Sequence, residues 1–492
     1  MTTKSQASSK AAIDLSQDNI FLNIKGPGHL DGREGSDSFY FKQAPVAGRI
    51  IDGGTDDQIS DAQVVYSGST LTAQIGYASQ DTLYIQKSMD ISELQFTHIE
   101  KIQLGKGVNL TMSSEQFETA LDSLEYTVGG QTLNPGLLVE GVAGGRVETL
   151  TIEVADGADF QLDDASTGYL FKNVEVAIHF NGGDVRYDGT AASEDILGGD
   201  GTEYITPRLG NDTVHAGDGN DLLVGNEGAD QLYGEEGGDI FLVTRLATTA
   251  NGGTFTVGKA SDGSAELVAG DVMDGGNGLD ELRITATGGA VTPIESTVTL
   301  TPDNFIAIEK VTIGTNAPRD SALYPSTQDQ MAAGALTAVT TGTDAINVNG
   351  AALKVGVEYT GNNGNNMLVG GAATDAFHGN GGNDILVGGA GADKFYFETP
   401  LDAAANLDTL GDFKSGIDQL VLDHAVFQSL AVGALNPGSL VAGTTALDGD
   451  DYLLFGAGKL YYDADASGPG AAVQFVQLTG VAALAAGDFL VV

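Results

Sequence analysis

Residues 217–241, GDGNDLLVGNEGADQLYGEEGGDIF, repeat one pattern every nine positions. An acid recurs at Asp221, Asp230 and Asp239. A glycine stands two places before it at Gly219, Gly228 and Gly237, and an apolar residue two places after it at Leu223, Leu232 and Phe241. The acid continues backwards through Asp212, Glu203 and Glu194, with Gly210 and Gly201 before and Val214, Ile205 and Ile196 after. A second array, residues 361–396, carries Asn366, Asp375, Asp384 and Asp393 at the acidic place and Leu368, Phe377, Leu386 and Phe395 at the apolar one. Three registers kept at one period through two arrays mark a repeat architecture, in which each unit buries its apolar face against its neighbours.

Each register has a physical reason. Glycine permits turns with positive φ and lets backbone carbonyls approach closely. The acid then points into the gap between stacked turns, and the short strand after it turns its apolar residue inward. Carboxylates stacked at this spacing repel unless a cation neutralises them. Calcium takes six to eight oxygens at roughly 2.3–2.6 Å, and turn carbonyls with carboxylates from adjacent turns supply such a shell.

The pattern resembles the GGxGxDxUx repeat of the RTX (repeats-in-toxin) family of calcium-binding secreted proteins of Gram-negative bacteria, over residues 189–243 and 361–397. The resemblance implies an all-β fold: an elongated β-solenoid with parallel β-roll segments and β-rich flanking modules, holding several Ca2+ ions. Its metal-binding places fall on Glu203, Asp212, Gly217, Gly219, Asp221, Gly228, Asp230, Gly237 and Asp239 in the first array. In the second they fall on Asp375, Gly382, Asp384, Gly389, Gly391 and Asp393, and a single copy at 275–283 adds Asp280. Weaker fragments lie at 30–41, with Asp37, and at 52–57. The sequence departs from the pattern at Pro207, Arg208 and Leu209, which replace the first three places of one unit. Asn366 replaces a carboxylate, Ala373 replaces a glycine, and Glu194 and Glu203 are longer than aspartate.

The 492-residue chain has a net charge of −45, no cysteine and no tryptophan. Its 41% hydrophobic content is that of a globular protein rather than a disordered polyelectrolyte. No run approaches the ~18 apolar residues of a membrane-spanning helix. The negative charge repels phosphate and argues against nucleic acid as a partner. Lack of cysteine removes disulfides, Cys-ligated zinc and thiol catalysis. Such a chain needs a cation.

Residues 1–19 lack the apolar core of a cleaved secretory signal and read as a flexible arm. Residues 20–188 and 244–357 are rich in alternating, strand-like runs, the latter as a β-rich module between the arrays at 189–243 and 358–397. Phe96-Thr-His-Ile-Glu-Lys-Ile102 matches Phe305-Ile-Ala-Ile-Glu-Lys-Val311, with a partial third copy at residues 171–175. Such segments resemble those interleaved with RTX repeats in bacterial surface-layer proteins. Residues 113–124 read as the one helix, opening on a Ser-x-x-Gln capping box. Residues 398–492 resemble the C-terminal cap and uncleaved signal of RTX proteins exported by type I secretion. By that resemblance Asp412 and Asp418 close the last calcium site, while Phe413, Leu420 and Leu422 cap the core. Asp463, Asp465, Ser467 and Gly468 have the first spacing of an EF-hand loop, with Gln474 where Glu is needed and no helical flanks, and read as a solvated turn, with an isolated calcium site as the alternative.

No catalytic constellation emerges. None of the six histidines is paired at four-residue spacing, so HExxH is absent, and there is no GxSxG or P-loop. His215 and His378 sit at the outward ninth place of their units. We expect a non-enzymatic, extracellular calcium-binding protein that folds and self-assembles as a surface-layer or matrix subunit. Its expected partners are calcium, further copies of itself and cell-surface polysaccharide. A calcium-dependent adhesin and a polysaccharide-acting enzyme are the competing readings.

Overall fold

The structure is a computed structural model. It describes residues 2–5, 19–22, 28–31, 38–41, 49–52, 62–67, 70–75, 81–116, 126–128, 131–133, 137–143, 148–162, 171–182, 184–190, 193–226, 228–243, 254–256, 271–284, 296–316, 338–340 and 345–492. Asp37, residues 53–57 and residues 117–124 lie outside the described residues. The chain divides into two compact units, Met1–Asp200 and Gly201–Val492. The described residues are almost entirely strand and turn, and no helix among them is long and apolar enough to cross a membrane.

In the first unit, alternation of apolar and polar residues makes strands that stack in parallel. Glu148–Val154 (ETLTIEV) turns Leu150, Ile152 and Val154 into the core and leaves Thr149, Thr151 and Glu153 half-buried. Its neighbours on either side, Asn109–Ser113 and Val174–Phe180, pair with it in register. Leu110, Leu150 and Val176 therefore form one buried row, and Met112, Ile152 and Ile178 the next. A second ladder runs through Ser38–Phe41, Thr82–Ile85, Lys101–Leu104 and Leu138–Glu140, all parallel. The arm expected to be flexible supplies the strand Thr2–Ser5, which pairs with Asn19–Leu22. The capping box at the short helix forms in both directions: Gln116 N–H donates to Ser113 Oγ, and Ser113 N–H donates to Gln116 Oε1.

In the second unit each coil takes two nonapeptides, so residues eighteen apart stack. Ile205 lies beside Leu223 and Leu223 beside Phe241. The row continues without interruption through Leu282, Val311, Tyr359, Phe377, Phe395 and Leu420 to Phe489. Tyr359, Phe377 and Phe395 stack with ring centroids 5.1 and 5.2 Å apart. The segment between the arrays thus contributes strands, Glu281–Ile284 and Lys310–Ile313, to the sheet that both arrays share. The facing rows are Val214, Leu232, Met273 and Phe305, then Val348, Leu368, Leu386, Leu410 and Leu478.

Parallel stacking ends at an antiparallel hairpin, Leu453–Gly456 and Lys459–Tyr462, which joins Val473–Leu478. Phe413, Leu420 and Leu422 are buried as expected. The rings that pack across this end are Phe427, which meets Tyr462 and Phe475 edge-on at 5.0 and 5.1 Å, and Phe397 against Phe475 at 5.2 Å.

Candidate metal centre

The nine-residue pattern places each acid at the mouth of a strand, between one coil and the next. There its carboxylate is buried, and one oxygen accepts a backbone N–H from the coil before. Asp221 Oδ1 accepts Glu203 N–H at 2.8 Å, Asp239 Oδ1 accepts Asp221 N–H at 2.8 Å, and Asp230 Oδ1 accepts Asp212 N–H at 3.0 Å. In the second array Asp384 Oδ1 accepts Asn366 N–H at 2.7 Å and Asp393 Oδ1 accepts Asp375 N–H at 3.0 Å. These bonds form rungs that tie coil to coil.

The second oxygen distinguishes the rungs. Oδ2 of Asp221, Asp230, Asp239, Asp280, Asp384 and Asp393 is buried and accepts no hydrogen bond. In most of these repeats it lies against the first glycine of its own unit. A Cβ on Gly234 would stand 2.1 Å from Asp239 Oδ2, and one on Gly388 2.3 Å from Asp393 Oδ2. The pattern therefore preserves a cradle around an unneutralised oxygen. Burying an ionised carboxylate without a partner is costly, and a hard cation that binds oxygen removes the cost. The residues fit calcium.

All seven of the glycines expected in the sites, Gly217, Gly219, Gly228, Gly237, Gly382, Gly389 and Gly391, have positive φ. Gly237 shows why: φ is 136°, and a Cβ there would come within 1.3 Å of the Gly219 carbonyl oxygen. The second place of the unit also needs the left-handed region. Where glycine is missing, Arg208, Asn226, Glu235 and Asn380 adopt φ of 78°, 65°, 74° and 63°. The turn at Pro207–Leu209 thus keeps its course despite the substitutions.

Burial raises these carboxyls. Asp221, Asp230 and Asp375 are pushed up to about 6 and Asp239 to about 7. Burial and then the charge of Asp408 push Asp384 to about 9.

Other expected residues serve differently. Asn366 Oδ1 accepts Asn362 N–H and its Nδ2 donates to the Ile346 carbonyl, so this rung is satisfied with no metal. Asp375 uses its second oxygen on Gly371 N–H. Asp412 accepts Gly388 and Gly389 N–H, both at 2.8 Å, and Asp418 accepts Asp393 and Lys414 N–H. Lys414 Nζ donates to the Gly389 carbonyl at 2.7 Å. The chain's own ammonium therefore stands where the ladder ends. Glu203 is fully buried, and Glu194 accepts the N–H and hydroxyl of Thr190. His215 and His378 stack on Tyr233 and Tyr396 at 4.6 and 4.1 Å and contact Glu235 and Glu398.

Sequence reading missed three rungs. Asp271 accepts Asp230 N–H, Glu309 accepts Asp280 N–H, and Asp408 accepts Asp384 N–H, at chain separations of 41, 29 and 24 residues. Each is an acid two places before a buried apolar residue, which is the signal that survives when the spacing does not. Glu309 is the acid of the Phe-x-x-Ile-Glu segment, and its counterpart Glu100 accepts Asp81 N–H at 2.6 Å. Both segments bury their Phe and Ile and place the third residue, His98 or Ala307, at φ 52° or 47°. The partial third copy lacks the rung: Glu175 is exposed. Asp448, Asp450 and Asp451 also bring carboxylate oxygens within 4.8 Å of one another, but Asp451 already accepts Leu447 and Asp448 N–H.

Residues 208–241 and 360–395 match the family described as the RTX calcium-binding nonapeptide repeat (4 copies). These two stretches are therefore RTX calcium-binding nonapeptide repeats, and through them the chain binds several Ca2+ ions. No curated protein matches it. Among solved structures it is similar to the extracellular lipase LipA from Serratia marcescens, at 16% identity and a TM-score of 0.20, over 70% of this chain and 45% of the lipase.

Proposed function

We propose that this RTX-repeat chain is a secreted structural protein, not an enzyme, which calcium folds and then assembles into a surface layer or matrix. The observation that carries the reading is the row of buried Oδ2 atoms without donors, repeated on rungs of one uninterrupted stack. Inside a cell, at submicromolar calcium, these carboxylates oppose folding. Outside, sites of about 10⁻⁴–10⁻³ M affinity are filled and favour it. Most of the acids behind the −45 charge lie outside the rungs, and calcium bridging them between copies supplies the assembly step. Electron microscopy of the purified protein tests this. Sheets or filaments that form with millimolar calcium and dissolve with chelator are expected, whereas monodisperse particles under both conditions would refute assembly.

A further inference from the structure

The C-terminal cap holds an oxygen cluster of a different kind, away from the repeats and their rungs. The loop joining Lys459–Tyr462 to Val473–Leu478 reads DADASGPG over residues 463–470. Asp463 is 6% exposed, and its Oδ1 is buried and accepts no hydrogen bond. Burial raises the Asp463 carboxyl and the adjacent Asp465 side chain raises it further, so the two acids lie close together in the loop. The loop itself is held by the protein. Asp463 N–H donates to the Tyr452 carbonyl at 2.8 Å, and Ser429 Oγ donates to the Ala464 carbonyl at 2.7 Å. Gly470 N–H donates to Asp465 Oδ2 at 2.9 Å. A Cβ on Gly468 would stand 2.2 Å from that oxygen, so the backbone wraps the carboxylate closely. Two carboxylates this close, one with a buried oxygen lacking a donor, favour a shared proton or a cation between them. The sequence supplies no Lys, Arg or His from residue 460 to its end.

We propose that residues 463–470 form a separate calcium site, with the carboxylates of Asp463 and Asp465, the Ser467 hydroxyl and the Pro469 carbonyl as ligands. Acids at the first and third places, a hydroxyl at the fifth, glycine at the sixth and a carbonyl at the seventh follow the order in which a calcium loop presents oxygen. Gln474 stands at the twelfth place, where glutamate gives the tight sites, so two carboxylates hold the ion. The affinity falls in the roughly 10⁻⁴–10⁻³ M range of extracellular modules. Binding would clamp the antiparallel hairpin to the last long strand.

The test uses the full chain, dialysed against millimolar calcium, with bound metal counted by mass spectrometry. Asp465→Asn keeps the acceptor for Gly470 and changes an exposed side chain, so folding is preserved. It is expected to bind one ion fewer than the unaltered chain. Asp384→Asn, in the second array, lowers the count independently, and the double variant shows both losses. Hydrogen exchange of residues 463–472 should slow on calcium addition in the unaltered chain and respond less in Asp465→Asn. An unchanged count, with identical exchange in that loop, would mean that the carboxylates share a proton and would overturn the proposal.

Discussion

Asp384 and Asn366 are neighbours on successive coils, and they show what a single atom decides. Asn366 satisfies both ends of its amide with protein groups, whereas Asp384 keeps an oxygen without a donor. Substituting amide for acid on a loaded rung should act with opposite sign with and without metal. Asp230→Asn removes a buried charge whose carboxyl sits at about 6. It should stabilise the metal-free protein at pH 7 by roughly 2 kcal/mol, yet raise the calcium midpoint of folding followed by circular dichroism. The pH dependence has the same origin. Asp221, Asp230, Asp239 and Asp375 have folded-state values of about 6 to 7 against an ordinary 3.8. Their stabilising contribution is complete below pH ~4 and is lost as pH rises through 6 to 7. Urea titrations of the metal-free protein should therefore show falling stability from pH 4 to 8, while its calcium affinity rises over the same range. Backbone demands are equally local: Gly237→Ala combines a left-handed residue with a clash against Gly219 and should cost about 3 kcal/mol in calcium-loaded urea melts.

At the scale of the element, the repeating unit is the rung rather than the nonapeptide. The acid, glycine and apolar registers were legible in both arrays because every loop there has the same length. Between the arrays and just past the second one the loops lengthen, and the nine-residue period disappears while the hydrogen bond from coil to coil persists at Asp271, Glu309 and Asp408. Periodicity reports equal spacing, and the sheet requires only pairing. Coil stacking at eighteen residues was hidden for a related reason, since the two halves of a coil carry the same pattern. The Phe-x-x-Ile-Glu segment was legible in the sequence as a recurring motif, and its rung appeared only in the fold. It combines a buried ring, a left-handed third residue and an acceptor in seven positions. Phe305→Ala empties a ring-sized space beside Met273 and should lower the stability of the calcium-loaded protein by about 3–5 kcal/mol. Phe96→Ala should do likewise in the first unit, and thermal melts of both variants would check the equivalence.

For the molecule as a whole, the −45 charge and the ladders together make calcium a component of the folded state. A site holding calcium at ten times its dissociation constant contributes about 1.4 kcal/mol, and several such sites together are comparable to the stability margin of an ordinary domain. Chelation should therefore abolish most β-sheet circular dichroism, and readdition should restore it. In the second unit, strands lie across the direction in which coils are added, and each coil is fastened to the next by its own rung. A force drawing the two ends of that unit apart along the stack loads one rung at a time. It should peel coils sequentially at low tension over a long extension, as a tape leaves its reel, instead of rupturing in one event. Such a body dissipates work gradually, and the dissolved ion sets how firmly each layer is stuck down.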